Sequence, residues 1–352
     1  MRIAIVAPPW LPVPPGGYGG TEAVLDTLAR GLVARGHDVL LCTTGDSTCP
    51  VERTWVFGSA LGIGTGGSVS EIRHVIHAYD AAAGSDIVHD HTLVGPLYSA
   101  AIPGLPVVTT NHGPFGPELI DFYRAIAPRV PVIAISRHQA STAIGVEIAA
   151  TIHHGIDVDE FPVGRGAGGY ALFLGRMHPG KGVDAAARAA RAAGVPLRIA
   201  GKMREPDEIA YFDAQVRPLL SREITYVGEV ERDEKVALLG DAMCLLNPIV
   251  WPEPFGMVMI EALACGTPVV TTRFGAAPEI VDDGVVGYLC DSGPELERSL
   301  LRAGGLDRAA CRRHVAERFS ATRMVDEHVA LYERLLAGHP GTLAGASMRG
   351  AA

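Results

Sequence analysis

The chain has 352 residues, which exceeds the size of one typical domain and favours two domains of roughly 150 residues each. Its composition is that of a globular protein with enough aliphatic side chains for two cores. A formal net charge of −9 argues against a nucleic-acid-binding surface, although a local basic cleft stays compatible with it.

The cysteine pattern and the apolar runs bear on cellular location. Six cysteines occur without a C-x-x-C pair, which favours buried thiols in a reducing compartment. The first apolar run, in MRIAIVAPPW, is stopped by prolines and is too short for a signal peptide. No stretch approaches the ~20 apolar residues of a membrane span. We therefore expect a cytoplasmic protein whose membrane contact is at most peripheral.

Short apolar runs alternate with helical patterns along the chain. The first series predicts strands at 3–7, 39–44, 86–91, 107–112 and 132–136. A second series predicts strands at 171–175, 197–201, 224–228, 243–248 and 268–272. Helical patterns lie between them, for example at 21–35, 183–193 and 206–220. This alternation predicts an α/β fold with two Rossmann-like domains, each a parallel sheet covered on both faces.

The glycine-rich segment GRGAGG at 164–169 divides the two series and is interpreted as a linker. The first domain is then 1–163 and the second 170–320, with a helix at 321–337 that can pack back on the first domain. Residues 339–352 have the composition of a flexible tail. Ligands of open parallel sheets bind beyond the carboxyl ends of the strands, so the loops at those ends are the places to look for chemistry.

The first such loop is PPGGYGG at 14–20, between the first strand and a helix that is expected to open at 21–22. Glycines such as Gly19 and Gly20 let backbone N–H groups approach a ligand, and a helix N-terminus favours anions. The loop lacks the G-x-G-x-x-G spacing, and a flexible proline-rich loop is the alternative interpretation.

The second loop, GRMHPGKG at 175–182, is close to the P-loop pattern G-x-x-x-x-G-K-[ST]. Gly182 stands where the Mg²⁺-binding hydroxyl of that pattern belongs, which argues against a P-loop NTPase. Arg176 and Lys181 remain as two cations suited to a diphosphate, unless the loop is merely solvated. Lysine occurs only at 181, 202 and 235, so each lysine draws attention.

Histidines also collect at predicted strand ends. His89 and His91 flank Asp90, His112 ends the next strand, and a further pair stands at 153–154. A metal pair at 89 and 91 is conceivable, because alternate residues of a strand share a face, but no carboxylate or cysteine set accompanies it. His112 is the better candidate for substrate contact, with a structural role as the alternative.

The stretch WPEPFGMVMIEALACG places two glutamates in an apolar setting. Glu253 precedes a helix that is predicted to begin near 254–255, and Glu261 lies about two turns into it. The backbone N–H groups at 255–257 then lack helical partners and can receive an anion. Such carboxylates can accept hydrogen bonds from sugar hydroxyls, and a structural Glu–Arg pair is the alternative.

Together these stretches resemble the retaining GT-B glycosyltransferases of family 4, over about residues 1–335. The hallmark is the E-x7-E pattern from Glu253 to Glu261. Supporting stretches are GGYGGTE, NHGP at 111–114, the GR…KG loop, IAGK, VGEV at 227–230 and FGAAPEIVDDGVVGYL at 274–289. The sequence departs from the family at HHGID (153–157), where Pro-Asn-Gly is common, and at Ala276, where a second glycine is common.

The resemblance implies a role for each matching residue. Arg176 and Lys181 would bind the donor diphosphate, and Glu253 the hydroxyls of the transferred sugar. Glu261 would hold the ribose, and His112 would lie near the anomeric centre. Contacts to the base, phosphates or sugar would come from Gly228, Glu229, Val230, Phe255, Gly256, Met257, Gly19 and Gly20.

The implied reaction is transfer of a sugar, with retention, from a nucleotide-diphosphate donor to a hydroxyl of a saccharide, lipid or small metabolite. UDP-sugars are favoured over GDP-sugars, and no metal or other cofactor is obligatory. The alternatives are a GT-B sugar-nucleotide epimerase or hydrolase, and a non-catalytic sugar-nucleotide-binding protein.

Overall fold

The computed structural model describes residues 1–62 and 67–338. Contacts divide the chain into two compact units. The first contains Met1–Pro15, Gly19–Gly155 and the helix that starts at Ala321, and the second contains Gly16–Tyr18 and Ile156–Ser320. The chain therefore changes unit at Gly155–Ile156, and the segment predicted as a linker, 164–169, belongs to the second unit. The predicted tail at 339–352 lies outside the described residues.

Each unit contains one parallel sheet. The first sheet has seven strands in the order β3-β2-β1-β4-β5-β6-β7, and the second has six in the order β10-β9-β8-β11-β12-β13. Strands of the first sheet are β1 (Arg2–Val6), β2 (Asp38–Cys42), β3 (Glu52–Thr54), β4 (Ile87–Asp90), β5 (Val107–Thr110), β6 (Val132–Ala134) and β7 (Ile148–Thr151). Strands of the second are β8 (Ala171–Arg176), β9 (Leu197–Lys202), β10 (Ile224–Gly228), β11 (Cys244–Asn247), β12 (Val269–Thr272) and β13 (Gly287–Cys290).

Helices connect the strands. They are α1 (Gly20–Ala34), α2 (Ser68–Ala81), α3 (Gly95–Tyr98), α4 (Pro117–Ile126), α5 (Arg137–Thr142), α6 (Val183–Ala193), α7 (Pro206–Tyr211), α8 (Arg232–Asp241), α9 (Met257–Ala264), α10 (Ala277–Ile280), α11 (Gly293–Ala303), α12 (Arg308–Arg318) and α13 (Ala321–Gly338). The helix predicted at 206–220 stops at Tyr211 and continues as a π turn and a 3-10 turn, the latter containing Pro218. No described helix is long and apolar enough to cross a membrane.

All ten predicted strands are present. Central strands are buried on both faces, as in β1, where Ile3, Ala4, Ile5 and Val6 are fully buried, whereas the edge strand β10 exposes Thr225 and Val227. Three further strands, β3, β7 and β13, were not predicted. β3 and β7 are half-exposed edge strands with the sequences ERT and IAAT, so they lack the apolar run that marks a central strand.

The segment 164–169 is held in the second unit by backbone and side-chain hydrogen bonds. The Gly164 N–H donates to the Cys265 carbonyl (3.0 Å) and the Gly166 N–H to the Gly240 carbonyl (3.0 Å). The guanidinium of Arg308 donates to the carbonyls of Gly164 and Gly240 as well (2.9 and 2.8 Å). Glycine here allows close backbone approach, because a β-carbon at Gly164 would lie 2.1 Å from the Gly240 oxygen.

The C-terminal helix α13 belongs to the first unit and packs on α1. A β-carbon at Gly31 in α1 would lie 2.4 Å from a methyl group of Val325 in α13, so the two helices approach closely there. The buried hydroxyl of Tyr332 lies 2.6 Å from Nδ1 of His89 at the end of β4. The helix thus reaches the carboxyl edge of the first sheet.

Candidate active site

The two predicted cations lie at the end of β8 and in the loop that follows it. Arg176 is the last residue of β8, and Lys181 ends a short 3-10 turn, Pro179–Lys181. His178 caps this turn, since its Nδ1 accepts the Gly180 N–H (3.0 Å), and burial lowers the pKa of His178. Gly182 then takes the left-handed conformation (φ 71°) and starts α6. Both cations therefore stand at the carboxyl edge of the second sheet.

Arg176 has an unused donor. Its Nε is buried and lies 3.8 Å from a carboxylate oxygen of Glu208, too far for a hydrogen bond, and it has no other acceptor within the described part of the chain. Glu208 is 2% exposed and accepts from Lys202 Nζ at 3.0 and 3.2 Å. Burial raises the pKa of Glu208, but hydrogen bonds from the Arg204 N–H and from Lys202 outweigh it and lower the pKa overall. Glu208 thus supplies a fixed negative charge behind Arg176.

Glu253 is held by two side chains on the same oxygen. Its Oε2 accepts from the ammonium of Lys181 and from the indole Nε1 of Trp251, the latter at 2.8 Å. The Lys181 Nζ also lies 5.1 Å from the centre of the Trp251 ring. Neither partner bonds to Oε1, which accepts no hydrogen bond from the described residues. One oxygen of Glu253 is therefore engaged and the other is open.

The backbone of Glu253 is clamped by the loop after β12. The Ala276 N–H donates to the Glu253 carbonyl (2.9 Å). Gly275 has φ 60°, and a β-carbon on it would lie 2.3 Å from the same carbonyl oxygen. Glycine at 275 is therefore required by both conformation and space, whereas Ala276 fits in place of a second glycine.

Glu261 lies in α9, as predicted, but the helix begins at Met257 and not near 254–255. The reason is Gly256, whose φ of 98° is outside the helical range. Glu261 is consequently the fifth residue of the helix, in a run that is buried from Met259 to Ala264. Its Oε1 accepts from Lys235 Nζ of α8 at 2.7 Å, so the predicted alternative of an arginine partner is replaced by a lysine.

The predicted base-side residues lie at the end of β10. Gly228 has φ 94° next to an irregularity in the pairing of β10 with β9, and Val230 is buried. Glu229 accepts two hydrogen bonds from Arg204, both of 2.9 Å. The carboxylate of Glu229 is thereby engaged, and the chain direction changes at Gly228.

In the first unit, His112 lies in a cluster of histidines. Its Nε2 is 2.9 Å from His91 Nδ1, and its Nδ1 is buried without a partner among residues 1–62 and 67–338. His154 stacks on His112 with ring centres 5.2 Å apart, so the histidine pair at 153–154 contributes one ring to the core. His89 and His328 complete the cluster. Burial lowers the pKa of His112 to about 3.

The histidine cluster also bears on the metal pair considered at His89 and His91. Within the described ranges, no group of three or more His, Cys, Asp and Glu side chains is placed to hold a metal ion. His89 instead bonds to Tyr332 and to the Thr110 hydroxyl (2.7 Å). The rings of His89 and His91 pack against each other, with their centres 4.0 Å apart.

Of the remaining predicted residues, Gly20 begins α1, one residue before the predicted start, and Gly19 precedes it. A β-carbon on Gly19 would lie 2.7 Å from Pro15, so close packing in the loop requires glycine there. In the second unit, the structure brings together Lys181 and Glu253, with Arg176 at the start of the same loop as Lys181. Phe255 is buried, with its ring centre 6.0 Å from that of Phe319. His112, Gly19 and Gly20 are at the carboxyl edge of the first sheet.

Three side chains of this region were not predicted as site residues: Trp251, Lys235 and Glu208. The scarcity of lysine in the sequence was a signal for Lys235, because all three lysines pair with glutamates, namely Lys181–Glu253, Lys202–Glu208 and Lys235–Glu261. Trp251 stands two residues before Glu253, and nothing in the spacing indicates that its indole turns back to the carboxylate.

Comparison with known families agrees with this architecture. Residues 18–160 match the family model "Glycosyltransferase Family 4", and residues 164–302 match "Glycosyl transferases group 1". The D-inositol 3-phosphate glycosyltransferase of Mycolicibacterium smegmatis is 32% identical over 299 residues, which are 72% of this chain and 68% of that protein. The phosphatidyl-myo-inositol mannosyltransferase of Mycobacterium tuberculosis is 28% identical over 336 residues, 86% of each chain.

Solved structures show the same fold. A glycosyltransferase involved in avilamycin A biosynthesis superposes with a TM-score of 0.74 at 28% identity, covering 96% of this chain and 98% of that one. Sucrose-phosphate synthase from Thermosynechococcus elongatus gives a TM-score of 0.77 at 19% identity, covering 96% and 99%. On these matches, the chain belongs to glycosyltransferase family 4 and is a glycosyltransferase with the GT-B fold.

Proposed function

We propose that this glycosyltransferase moves a sugar, with retention of configuration, from a nucleoside-diphosphate donor to an acceptor hydroxyl, and that it needs no metal ion. The observation that carries the proposal is the set of charges at the carboxyl edge of the second sheet. Two cations, Arg176 and Lys181, follow β8, and two carboxylates, Glu253 and Glu261, each have one oxygen engaged by a lysine.

The two cations are suited to the donor diphosphate. The buried Arg176 Nε has no acceptor among the described residues, and a phosphate oxygen can supply one. Lys181 has three N–H donors, and its bond to Glu253 leaves the others for a second oxygen. As the bond to the sugar breaks, both cations stabilise the negative charge that develops on the leaving diphosphate, which is the role of a metal ion in other transferases.

The two carboxylates are suited to hydroxyl groups. The open Oε1 of Glu253 accepts hydroxyls of the transferred sugar, and the second oxygen of Glu261 accepts those of the ribose. Gly228, Glu229 and Val230 lie beside the base, and the N–H groups of Gly256 and Met257 face the phosphates or the sugar. For Gly19, Gly20 and His112, the proposed donor contacts follow from the family resemblance. Same-face attack by the acceptor then gives retention.

Following the family resemblance, we propose a UDP-sugar as the favoured donor and a GDP-sugar as the next candidate. For the acceptor, the relatives in Mycolicibacterium smegmatis and Mycobacterium tuberculosis are both named for inositol compounds. We therefore propose an inositol-containing acceptor as the first class to test.

A thermal-shift panel of UDP, GDP, UDP-glucose and GDP-mannose tests the donor. A nucleotide at ~100 times its Kd adds roughly 2.7 kcal/mol of stability, which the assay registers. Transfer to inositol and inositol phosphates is then measured with and without EDTA, and the anomeric configuration of the product is determined by NMR.

We expect turnover to be unchanged in EDTA and the anomeric configuration to be retained. We also expect the Lys181→Ala and Glu261→Ala variants to lose transfer. Near-wild-type turnover of either variant contradicts the assigned roles. Sugar release without an acceptor would instead indicate a hydrolase.

A further inference from the structure

Trp251 contacts both a predicted diphosphate-binding residue and a predicted sugar-binding residue, and neither the motif nor the proposed reaction accounts for it. It lies in the loop between β11 and α9, two residues before Glu253. Its indole Nε1 donates to Glu253 Oε2 at 2.8 Å, and its ring centre is 5.1 Å from Lys181 Nζ. From this contact pair we infer that Trp251 is a positioning residue, which fixes the plane of the Glu253 carboxylate so that its open oxygen faces the transferred sugar. The inference rests on the proposed function.

The hydrogen bonds on Glu253 support this positioning role of Trp251. Oε2 accepts from two donors, Trp251 and Lys181, whereas Oε1 accepts from no described residue. A carboxylate oxygen has two lone pairs, so Oε2 is saturated and Oε1 can accept two hydroxyls. Without the indole N–H, Lys181 alone holds the carboxylate, whose plane can then turn about the Cγ–Cδ bond. Trp251 thus gives the open oxygen of Glu253 a defined direction.

An indole suits this role because its N–H donates and cannot accept, and it does not titrate near neutral pH. The indole therefore stays a donor to the Glu253 carboxylate across the working pH range. The face of the same ring attracts the ammonium of Lys181, which keeps Lys181 beside Glu253 when one of its donors turns to a phosphate.

The position of the indole is fixed by the loop after β8. A β-carbon on Gly180 would lie 3.3 Å from Trp251 Cγ, so the ring packs directly on the Gly180 backbone. The Val250 N–H donates to the Gly180 carbonyl at 2.9 Å, which ties the same two loops together. Trp251 therefore has little freedom to move when the donor binds.

Trp251→Phe tests the inference, because it retains the aromatic face and removes the N–H. We expect binding of UDP alone (or of GDP, if the panel selects it) to stay within about 3-fold. Binding of UDP-glucose (or GDP-mannose) and kcat/KM for transfer should fall roughly 10- to 100-fold, the effect of losing one hydrogen bond to a charged group. Trp251→Leu, which also removes the ring face, should weaken UDP binding as well.

The decisive comparison is a double-mutant cycle with Glu253→Ala, because a glutamine would keep an oxygen that accepts the indole N–H. If Trp251 acts through Glu253, the Trp251→Phe/Glu253→Ala protein is no worse than Glu253→Ala alone. Additive losses in kcat/KM would overturn the inference, as would equal losses for UDP and UDP-glucose. Trp55→Phe is the matched control, because Trp55 is 45% exposed and belongs to the first unit.

The two proposals fail in different ways. If none of the four nucleotides binds the wild-type protein, the proposed function fails. If the wild type binds UDP-glucose and Glu253→Ala weakens it while Trp251→Phe does not, only the role of Trp251 is wrong. Thermal unfolding of each variant in the absence of nucleotide verifies that it folds.

Discussion

A β-carbon on Gly182 would lie 2.0 Å from the carbonyl oxygen of Pro248, so any other residue at 182 collides with the backbone. Gly182 also has φ 71°, a conformation that side-chain-bearing residues rarely adopt. The serine or threonine of a P-loop therefore cannot stand here. The near match of GRMHPGKG to a P-loop reflects how the loops after β8 and β11 pack.

Gly182→Ala is expected to lower the free energy of unfolding by more than about 3 kcal/mol, since left-handed strain of roughly 1–2 kcal/mol is joined by the collision with Pro248. Gly194→Ala is the matched control. Gly194 has φ 66°, and a β-carbon on it would meet no atom within 4 Å, so only the strain remains. Urea denaturation measures the free energy of unfolding of both variants. Equal losses for the two variants would show that Pro248 moves away at little cost.

Lys235→Met is expected to weaken UDP binding about 10-fold and to lower the free energy of unfolding by about 1–3 kcal/mol, because Glu261 is 8% exposed and loses its lysine partner. Isothermal titration and urea denaturation measure the two effects. Adding Glu261→Gln should recover stability, by removing the unpaired charge, but not UDP binding.

Arg232→Met on the same helix is the control for Lys235→Met. Arg232 pairs with Glu160 and its side chain is 49% exposed, so its loss should cost at most ~1 kcal/mol and leave UDP binding unchanged. If both variants behave alike, Lys235 has no special role at Glu261.

Tyr332→Phe is expected to lower the free energy of unfolding by about 1–3 kcal/mol. The variant removes the hydroxyl that lies 2.6 Å from His89 Nδ1, and it leaves a buried polar nitrogen unpaired. Tyr98→Phe is the control, since the Tyr98 ring packs edge-on against Tyr79 and its hydroxyl makes no hydrogen bond to a described residue. Similar stability of the two variants would mean that the hydrogen bond between Tyr332 and His89 contributes little to holding α13.

Acid is expected to destabilise the protein through the histidine cluster of the first unit. Burial lowers the pKa of its rings in the folded state, to about 3 for His112 and about 4 for His328. The pKa values of His89, His91 and His154 lie well below their usual value for the same reason. Above about pH 7.5 neither the folded nor the unfolded rings bind protons, so their contribution to stability is constant there.

As the pH falls below ~6.5, the histidines bind protons in the unfolded state but not in the folded state. Each ring then lowers the free energy of unfolding by up to about 1.4 kcal/mol per pH unit, until the pH reaches its folded pKa. Urea denaturation between pH 7.5 and 5 should show a steep loss of the free energy of unfolding. The His328→Gln variant should bind about one proton fewer on unfolding, which reduces the slope of that free energy against pH. An unchanged slope in that variant would remove His328 from the set.

Much of the fold was predictable because apolar runs mark buried parallel strands. β1 and β11 are examples in which nearly every residue is buried. The edge strands β3 and β7 escaped prediction because half-exposed strands carry no such run. The start of α9 was placed too early because Pro254 suits a first helical turn, whereas the left-handed Gly256 prevents the helix from including it.

The sequence by itself determined the α/β class, the E-x7-E spacing and the cations after β8, because these depend on residue type and on local periodicity. Only the tertiary structure decided which side chains meet. It paired Lys235 with Glu261, turned the Trp251 indole onto Glu253, and placed Tyr332 against His89, 243 residues away in the chain. Such contacts depend on how strands and helices pack, and no local pattern in the sequence records them.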